Sequence, residues 1–198
     1  FVLTNFIHGE ADCEVTETGT AAGYTPSYDN GTVVSEVSCV FDDILSEEHV
    51  CTITNTANPA TYTVLKDWVV TNSGGDEVVF EANVTITCDR EITGGTQDQE
   101  DDSWSKSGTL GDGQTLVATV DVTTGSASCS ASEAITQSGV ESTSENCDGT
   151  SLSAGGSHTC TFTNTVFFEG IPTLNQYGMA LMALLMLGLG FVGLRRFV

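Results

Sequence analysis

A cysteine-centred internal repeat constrains this chain more than any other feature. The segment Cys51-Thr-Ile-Thr-Asn-Thr56 recurs as Cys160-Thr-Phe-Thr-Asn-Thr165, and a histidine stands two residues ahead of each Cys, at His49 and His158. Upstream, Cys13-Glu-Val-Thr-Glu17 matches Cys129-Ser-Ala-Ser-Glu133, and a further Cys lies between the two landmarks in both copies, at Cys39 and Cys147. Landmarks repeated in one order mean two copies of one module. The second copy contains strand-like runs at Tyr62–Val70, Val78–Thr87, Thr115–Val122 and Thr159–Val166, separated by turns such as Asn72–Gly75. About seven short strands over roughly 105 residues predict an antiparallel β-sandwich. The first copy starts near its own Cys13 and lacks the early strands, so the expectation is a module cut short.

The expected fold class is therefore all-β, with tandem immunoglobulin-like sandwiches, which the resemblance given below makes prealbumin-like, followed by one C-terminal transmembrane helix. The expected boundaries are a truncated repeat over 1–57, a complete repeat over 58–166, a linker with a sorting motif over 167–178, and the helix with its basic end over 179–198. The N-terminus has no initiator Met, basic region or apolar run of a signal peptide, which the repeat argument reads as a fragment.

Charge narrows the function. The chain has 27 Asp+Glu against 5 Lys+Arg, a formal net charge of −22. Ahead of residue 171 the only basic side chains besides histidine are Lys66, Arg90 and Lys106. Such a surface repels phosphate backbones and argues against a nucleic-acid partner. It suits solubility, divalent cations or basic partners.

Seven Cys point to an oxidising compartment. The four of the complete copy permit three connectivities, which sequence alone does not separate. Spacing favours Cys39–Cys51 and Cys147–Cys160 as local pairs, with Cys88–Cys129 the third, leaving Cys13 without a partner. No CxxC pair occurs. Each His-x-Cys pair shares one strand face, but a metal site needs three or four ligands. No metal and no cofactor is expected.

The run Cys13-Glu-Val-Thr-Glu-Thr-Gly19 with Gly23-Tyr-Thr25, closing on Thr52-Ile-Thr-Asn-Thr56, resembles the collagen-adhesin B-type (SpaA-like, prealbumin-like) repeats of bacterial surface proteins. The resemblance covers residues 1–56 and about 60–165. It implies an autocatalytic isopeptide bond in some members, between a first-strand Lys and a last-strand Asn beside a buried acid. Carried over, the nucleophile is Lys66, the electrophile Asn164 and the acid Glu133. Glu17 and Asn55 match in the first copy, whose Lys would lie upstream. Two features depart from the family. Ala134–Val140 lacks the Gly-Tyr of the first copy, and disulfides could supply the same stapling. The alternative reading puts Lys66 exposed on an edge strand and Asn164 in a turn.

The tail reads Ile171-Pro172-Thr173-Leu174, then Tyr177-Gly178, an apolar run to Leu194, and Arg195-Arg196. The run from Gly178 to Leu194 would rise ~25 Å as a helix against a ~30 Å hydrocarbon core. Arg195 and Arg196 would stay cytoplasmic, placing the acidic region outside. This order resembles the Ile-Pro-Thr-Leu type of C-terminal sorting signal, with Tyr177 where the family usually has Trp. The resemblance implies recognition by an exosortase-type transpeptidase in the envelope of a Gram-negative bacterium. Pro172 would hold the cleavable segment extended.

The leading functional expectation is a structural or adhesive surface stalk, with the membrane, the transpeptidase and an extracellular matrix or polysaccharide as partners. The alternative is a polysaccharide- or calcium-binding module, for which the acidic loop Asp98-Gln-Glu-Asp-Asp102 before Trp104 is the best support. No nucleophile elbow, metal-binding helix pair or phosphate loop is present, so an enzyme is not expected.

Overall fold

The computed structural model describes residues 11–44, 48–71, 79–137, 139–167 and 182–186. Apart from helical residues 182–186, its regular structure is β-strand. The second copy folds as a two-layer sandwich. One layer contains β6 (Ala60–Thr71), β10 (Thr115–Val120), β12 (Val140–Glu145) and β14 (Ser157–Phe167), in the order β10-β6-β14-β12. The other contains β7 (Ala82–Cys88), β8 (Thr96–Gln97), β9 (Trp104–Leu110), β11 (Ala127–Ala134) and β13 (Thr150–Leu152), in the order β13-β11-β7-β9-β8.

Strict alternation dictates this layering. In β6 the residues Ala60, Tyr62, Val64, Lys66 and Trp68 are buried, and in β14 so are Cys160, Phe162, Asn164 and Val166. A period of two sends each set to one sheet face. Val84 and Ile86 of β7 face them from the opposite layer, and these two are fully buried. Among the described residues the sandwich has nine strands where the sequence suggested about seven. The extra ones include the two-residue β8 and three-residue β13, too short to leave an alternating signature. The Ser- and Gly-containing β9 has only Trp104 and Leu110 as large apolar residues.

One pairing departs from the antiparallel expectation. The first strand β6 and the last strand β14 lie side by side in parallel, from Thr61 opposite Ser157 to Thr71 opposite Phe167. The chain thus enters this module at one end of the pair and leaves it at the other.

The first copy contributes β1 (Cys13–Val15), β2 (Tyr24–Asp29), β3 (Val34–Ser35), β4 (Cys39–Phe41) and β5 (Thr52–Ala57). They form a β1-β4 pair and a β3-β2-β5 sheet. Its registers repeat those of the second copy. Asn55 lies opposite Pro26 and Ala57 opposite Tyr24, just as Asn164 lies opposite Ser142 and Val166 opposite Val140. Cys13 faces Phe41 on β4, as Cys129 faces Thr150 on β13.

The two copies meet at Asn58. Its N–H donates to the Gly23 carbonyl at 2.8 Å, and its own carbonyl accepts from the Gly155 N–H at 2.9 Å. Its side-chain oxygen accepts from the Thr25 hydroxyl at 2.7 Å. Gly23 (φ 85°) lies so close to the β13–β14 turn that an added Cβ would strike the Ala154 carbonyl oxygen.

Among the described residues no helix is long and apolar enough to cross a membrane. The expected span over 179–198 lies outside the described residues except for 182–186, where Met182, Leu184, Leu185 and Met186 are exposed. The sorting residues Ile171, Pro172, Thr173, Leu174, Tyr177 and Gly178, and Arg195 and Arg196, also lie outside them.

Candidate functional site: a buried lysine, glutamate and asparagine

Alternation places Lys66 on the inner face of β6, between Val64 and Trp68, and Asn164 on the inner face of β14, between Phe162 and Val166. Both are fully buried. Glu133 arrives from the other layer on β11, its side chain 3% exposed. The three polar groups divide the core. Val64 and Phe162 belong to the large cluster, whereas Trp68 and Val166 form a small one with Ala82, Phe80 and Val140.

The Glu133 Oε1 atom is the meeting point. Lys66 Nζ lies 3.3 Å from it, and Asn164 Nδ2 donates to it at 2.9 Å. The other carboxylate oxygen accepts from the Ser142 hydroxyl at 2.9 Å. Lys66 Nζ also donates to the carbonyls of Phe162 at 3.1 Å and Asp67 at 3.0 Å, and stands 4.5 Å from the Trp68 ring centroid. Burial pushes the lysine pKa down, against the opposing pull of Glu133. The shift enlarges the neutral, nucleophilic fraction of the amine. Asn164 Oδ1 is buried and has no hydrogen-bond partner among the described residues. A buried amide oxygen left unpaired is costly, and it exposes the carbonyl to an approaching donor.

These positions settle the alternative reading of Lys66 and Asn164. Lys66 lies in a strand paired on both sides, with β10 and β14, and β14 continues past Asn164 to Phe167. Sequence reasoning missed Ser142, which holds the carboxylate, and Trp68, which covers the amine. The β12 run Val140–Glu145 shares no motif with β2, so only the register reveals Ser142.

The first copy holds a partial version. Asn55 Nδ2 donates to Glu17 Oε1 at 3.1 Å, yet Asn55 is exposed. Pro26 stands where Ser142 stands in the second copy. It has no hydroxyl to offer, and Glu17 Oε2 is buried without a partner among the described residues.

The cysteines pair as Cys39–Cys51, Cys88–Cys129 and Cys147–Cys160, with Cys13 a free thiol. The Cys147 carbonyl accepts from the Tyr62 hydroxyl at 3.1 Å and the Ala131 N–H at 2.9 Å, tying this bridge to both layers. His158 Nε2 lies 2.7 Å from the Asn146 carbonyl and 3.1 Å from the Thr150 hydroxyl, and its ring packs 5.3 Å from Tyr62. His49 packs on Phe41 at 5.2 Å. Among the described residues no group of His, Cys, Asp and Glu is arranged to hold a metal. In the acidic loop, Asp98 accepts from the Glu100 N–H and Asp101 from the Ser103 N–H, so these carboxylates serve their own turn. Hydrogen bonding by the Ser103 side chain first, and by its N–H second, lowers the Asp101 pKa.

Residues 170–196 match the IPTL-CTERM motif. No curated protein matches the chain. Among solved structures, a major pilin protein of Streptococcus pyogenes is similar at 12% identity, with 79% of this chain and 67% of that one covered and a TM-score of 0.42. A second major pilin from Streptococcus pyogenes is similar at 18% identity over 84% of this chain and 73% of that one, with a TM-score of 0.36. A pilus-presented adhesin, Cpa, is similar at 14% identity over 53% of this chain, with a TM-score of 0.33. The chain spans only 26% of that adhesin's length. The IPTL-CTERM motif thus follows two copies of a disulfide-bonded β module, in the place expected of a C-terminal sorting signal.

Proposed function

We propose that the described modules are the load-bearing part of a structural or adhesive stalk, and that the second is closed by an isopeptide bond between Lys66 and Asn164. The observation that carries this reading is the convergence of a buried amine and a buried amide on one carboxylate oxygen. In the reaction the neutral Lys66 amine attacks Asn164 Cγ, and a new C–N bond forms as the Cγ–Nδ2 bond breaks. Glu133 takes a proton from Nζ and passes it to Nδ2, which leaves as ammonia. No cofactor or oxidant enters the balance. The chemistry is a single self-reaction without turnover, so this reading gives the protein no enzymatic role.

Topology supplies the mechanical reason. Tension applied at Ala60 and Phe167 shears the parallel β6–β14 pair along its length. A bond from Lys66 to Asn164 would divert that load through a covalent path and leave most of the sandwich unstressed. The tail would be processed by an exosortase-type transpeptidase in a Gram-negative envelope, with the modules outside and the Arg195-Arg196 end cytoplasmic beforehand.

The test is the intact mass of the full chain after complete reduction. The expected result is a mass short by one ammonia, restored in Lys66→Ala and in Asn164→Ala. A mass equal to the sequence would remove Lys66, Glu133 and Asn164 as a reactive set.

A further inference from the structure

Two buried polar atoms of the second copy have no hydrogen-bond partner among the described residues: Trp68 Nε1, whose N–H is a donor, and Asn164 Oδ1, an acceptor. We infer that they serve one another in the reaction, the Trp68 indole N–H donating to the negative charge that develops on Asn164 Oδ1 as Lys66 attacks. This role for Trp68 rests on the isopeptide reading above and supplies the oxyanion donor which that reading leaves unnamed.

Strand register brings the two groups together. Trp68 lies opposite Asn164 in the parallel β6–β14 pair. Both side chains face the interior, with Trp68 7% and Asn164 0% exposed. A buried indole N–H ordinarily finds an acceptor, and each buried orphan is costly to the resting protein. Two complementary orphans on facing residues make sense when their interaction strengthens as charge appears. Catalysis comes from contacts that are stronger in the transition state than before it. A donor already held where an oxyanion develops needs no rearrangement at that moment. Trp68 is held: its backbone N–H donates to the Asp112 carboxylate at 2.8 Å, and its ring stacks on Phe80 with centroids 5.1 Å apart.

The neighbouring side-chain donors are engaged elsewhere. The Ser142 hydroxyl donates to Glu133 Oε2 and the Tyr62 hydroxyl to the Cys147 carbonyl, while Lys66 Nζ is the nucleophile itself. Glu133 faces the amide nitrogen, through the 2.9 Å bond that Asn164 Nδ2 donates to its Oε1. It is therefore placed to serve the leaving group, not the amide oxygen. In the step, the Nζ lone pair forms the bond to Asn164 Cγ, and the carbonyl π pair moves onto Oδ1 against the indole N–H. Glu133 carries one proton from Nζ to Nδ2. The pair on Oδ1 re-forms the carbonyl, the Cγ–Nδ2 bond breaks and ammonia leaves. The indole proton stays on Trp68 throughout, and the isopeptide oxygen of the product keeps this donor.

The test takes the full chain from inclusion bodies in denaturant, refolds it by dilution at a series of pH values, and follows intact mass with time. Trp68→Phe keeps an aromatic ring beside Lys66 and removes only the N–H donor. It should slow the loss of ammonia about 100-fold or more, at every pH and without moving the midpoint of the pH profile. Lost packing alone would rehydrate the amine, raise its pKa and move that midpoint upward. A deficit that vanishes above a raised midpoint would therefore overturn the inference, as would a parental rate in Trp68→Phe. A second measurement needs no variant to fold. With isotope labels on the indole nitrogens and the asparagine Cγ atoms, the cross-linked parent should show an NMR scalar coupling across the hydrogen bond from Trp68 Nε1 to Asn164 Cγ. A cross-linked parent without that coupling also overturns the donor role. The parent's mass separates the two readings. Full mass in the refolded parent sinks the isopeptide bond and the donor with it, whereas a parent that loses ammonia no faster than Trp68→Phe sinks the donor alone.

Discussion

The two copies share a register and a glutamate–asparagine contact, yet one encloses that contact and the other leaves it open. In the second, β6 lies against β14, and the amide is fully buried beside a lysine and a tryptophan ring. In the first, β5 has one paired edge among the described residues, and Asn55 is exposed. The same residue types thus have different chemistry. A carboxylate in a dry core meets an amine whose charge is expensive to keep, whereas in the first copy no amine is present and the amide beside the acid is open to water. On the proposed isopeptide reading, enclosure beside an amine, more than the identity of the acid and amide, makes the pair reactive.

The sharpest way to break the comparison is to remove the amide in each copy. Asn164→Ala should abolish the proposed cross-link and cost the second module about 4.7 kcal/mol by the loop-entropy argument for a covalent link of this span. Asn55→Ala, at an exposed position, should cost within about 0.5 kcal/mol. Urea unfolding followed by Trp68 and Trp104 fluorescence reads the first, and amide hydrogen exchange across β2 and β5 reads the second. Equal costs would mean that enclosure is irrelevant.

The disulfides come next. Replacing both Cys147 and Cys160 by Ala should cost about 3 kcal/mol, as expected for a short closed loop. The Cys39–Cys51 loop is nearly the same length, at a sequence separation of 12 against 13. Loop entropy therefore predicts nearly equal losses, and any difference measures packing. Cys160 is fully buried while Cys51 is half-buried, so the second-module pair should lose more. Unfolding of both double variants against the parent gives the ordering, and the reverse order would contradict it.

At the junction, Gly23→Ala should cost about 2 kcal/mol, from the left-handed backbone and the contact its Cβ would make. The atom it would strike is a backbone carbonyl, Ala154 O, which cannot swing aside as a side-chain end would. The expected consequence is local. Hydrogen exchange should quicken at Asn58 and Gly155, whose N–H groups bridge the copies, while the core of β7 and β11 keeps its protection. Unchanged exchange at both positions would show that the copies are not held together there.

Much of this was legible in the sequence, and the limits have physical causes. The alternation Ala60, Tyr62, Val64, Lys66, Trp68 already puts the lysine on an apolar face, because a period of two leaves it no other side. The resemblance to the SpaA-like repeats pointed to Lys66, Glu133 and Asn164, and the repeat then matched Glu17 and Asn55 to the last two, since matched Cys landmarks hold the same residues at the same strand positions. The parallel β6–β14 pairing was not legible, because strand neighbours depend on how distant segments assemble. Neither was the role of Ser142 or Pro26, whose strands share no motif and are related only by pairing across to the asparagine. The Asn58 junction has no signature beyond a few polar and glycine residues, which occur in any turn.

The smallest expected effect sharpens the comparison most, because it repairs the first copy instead of damaging either. Pro26 lies opposite Asn55, where Ser142 lies opposite Asn164, and the serine hydroxyl serves the second carboxylate oxygen of Glu133. Pro26→Ser should give Glu17 Oε2 the donor it lacks and restore a backbone N–H to β2. One hydrogen bond to a buried carboxylate oxygen is worth about 1 kcal/mol net. Loss of proline's restricted φ offsets part of that gain through the unfolded chain. The net stabilisation should be a few tenths to about 1 kcal/mol, read as slower hydrogen exchange in β2 and β5. Pro26→Ala separates the causes, because it restores the N–H without the hydroxyl. If serine and alanine protect equally, the backbone accounts for the gain and the unpartnered oxygen is irrelevant. If serine alone protects, the difference between the copies at this level comes down to a hydroxyl on a glutamate.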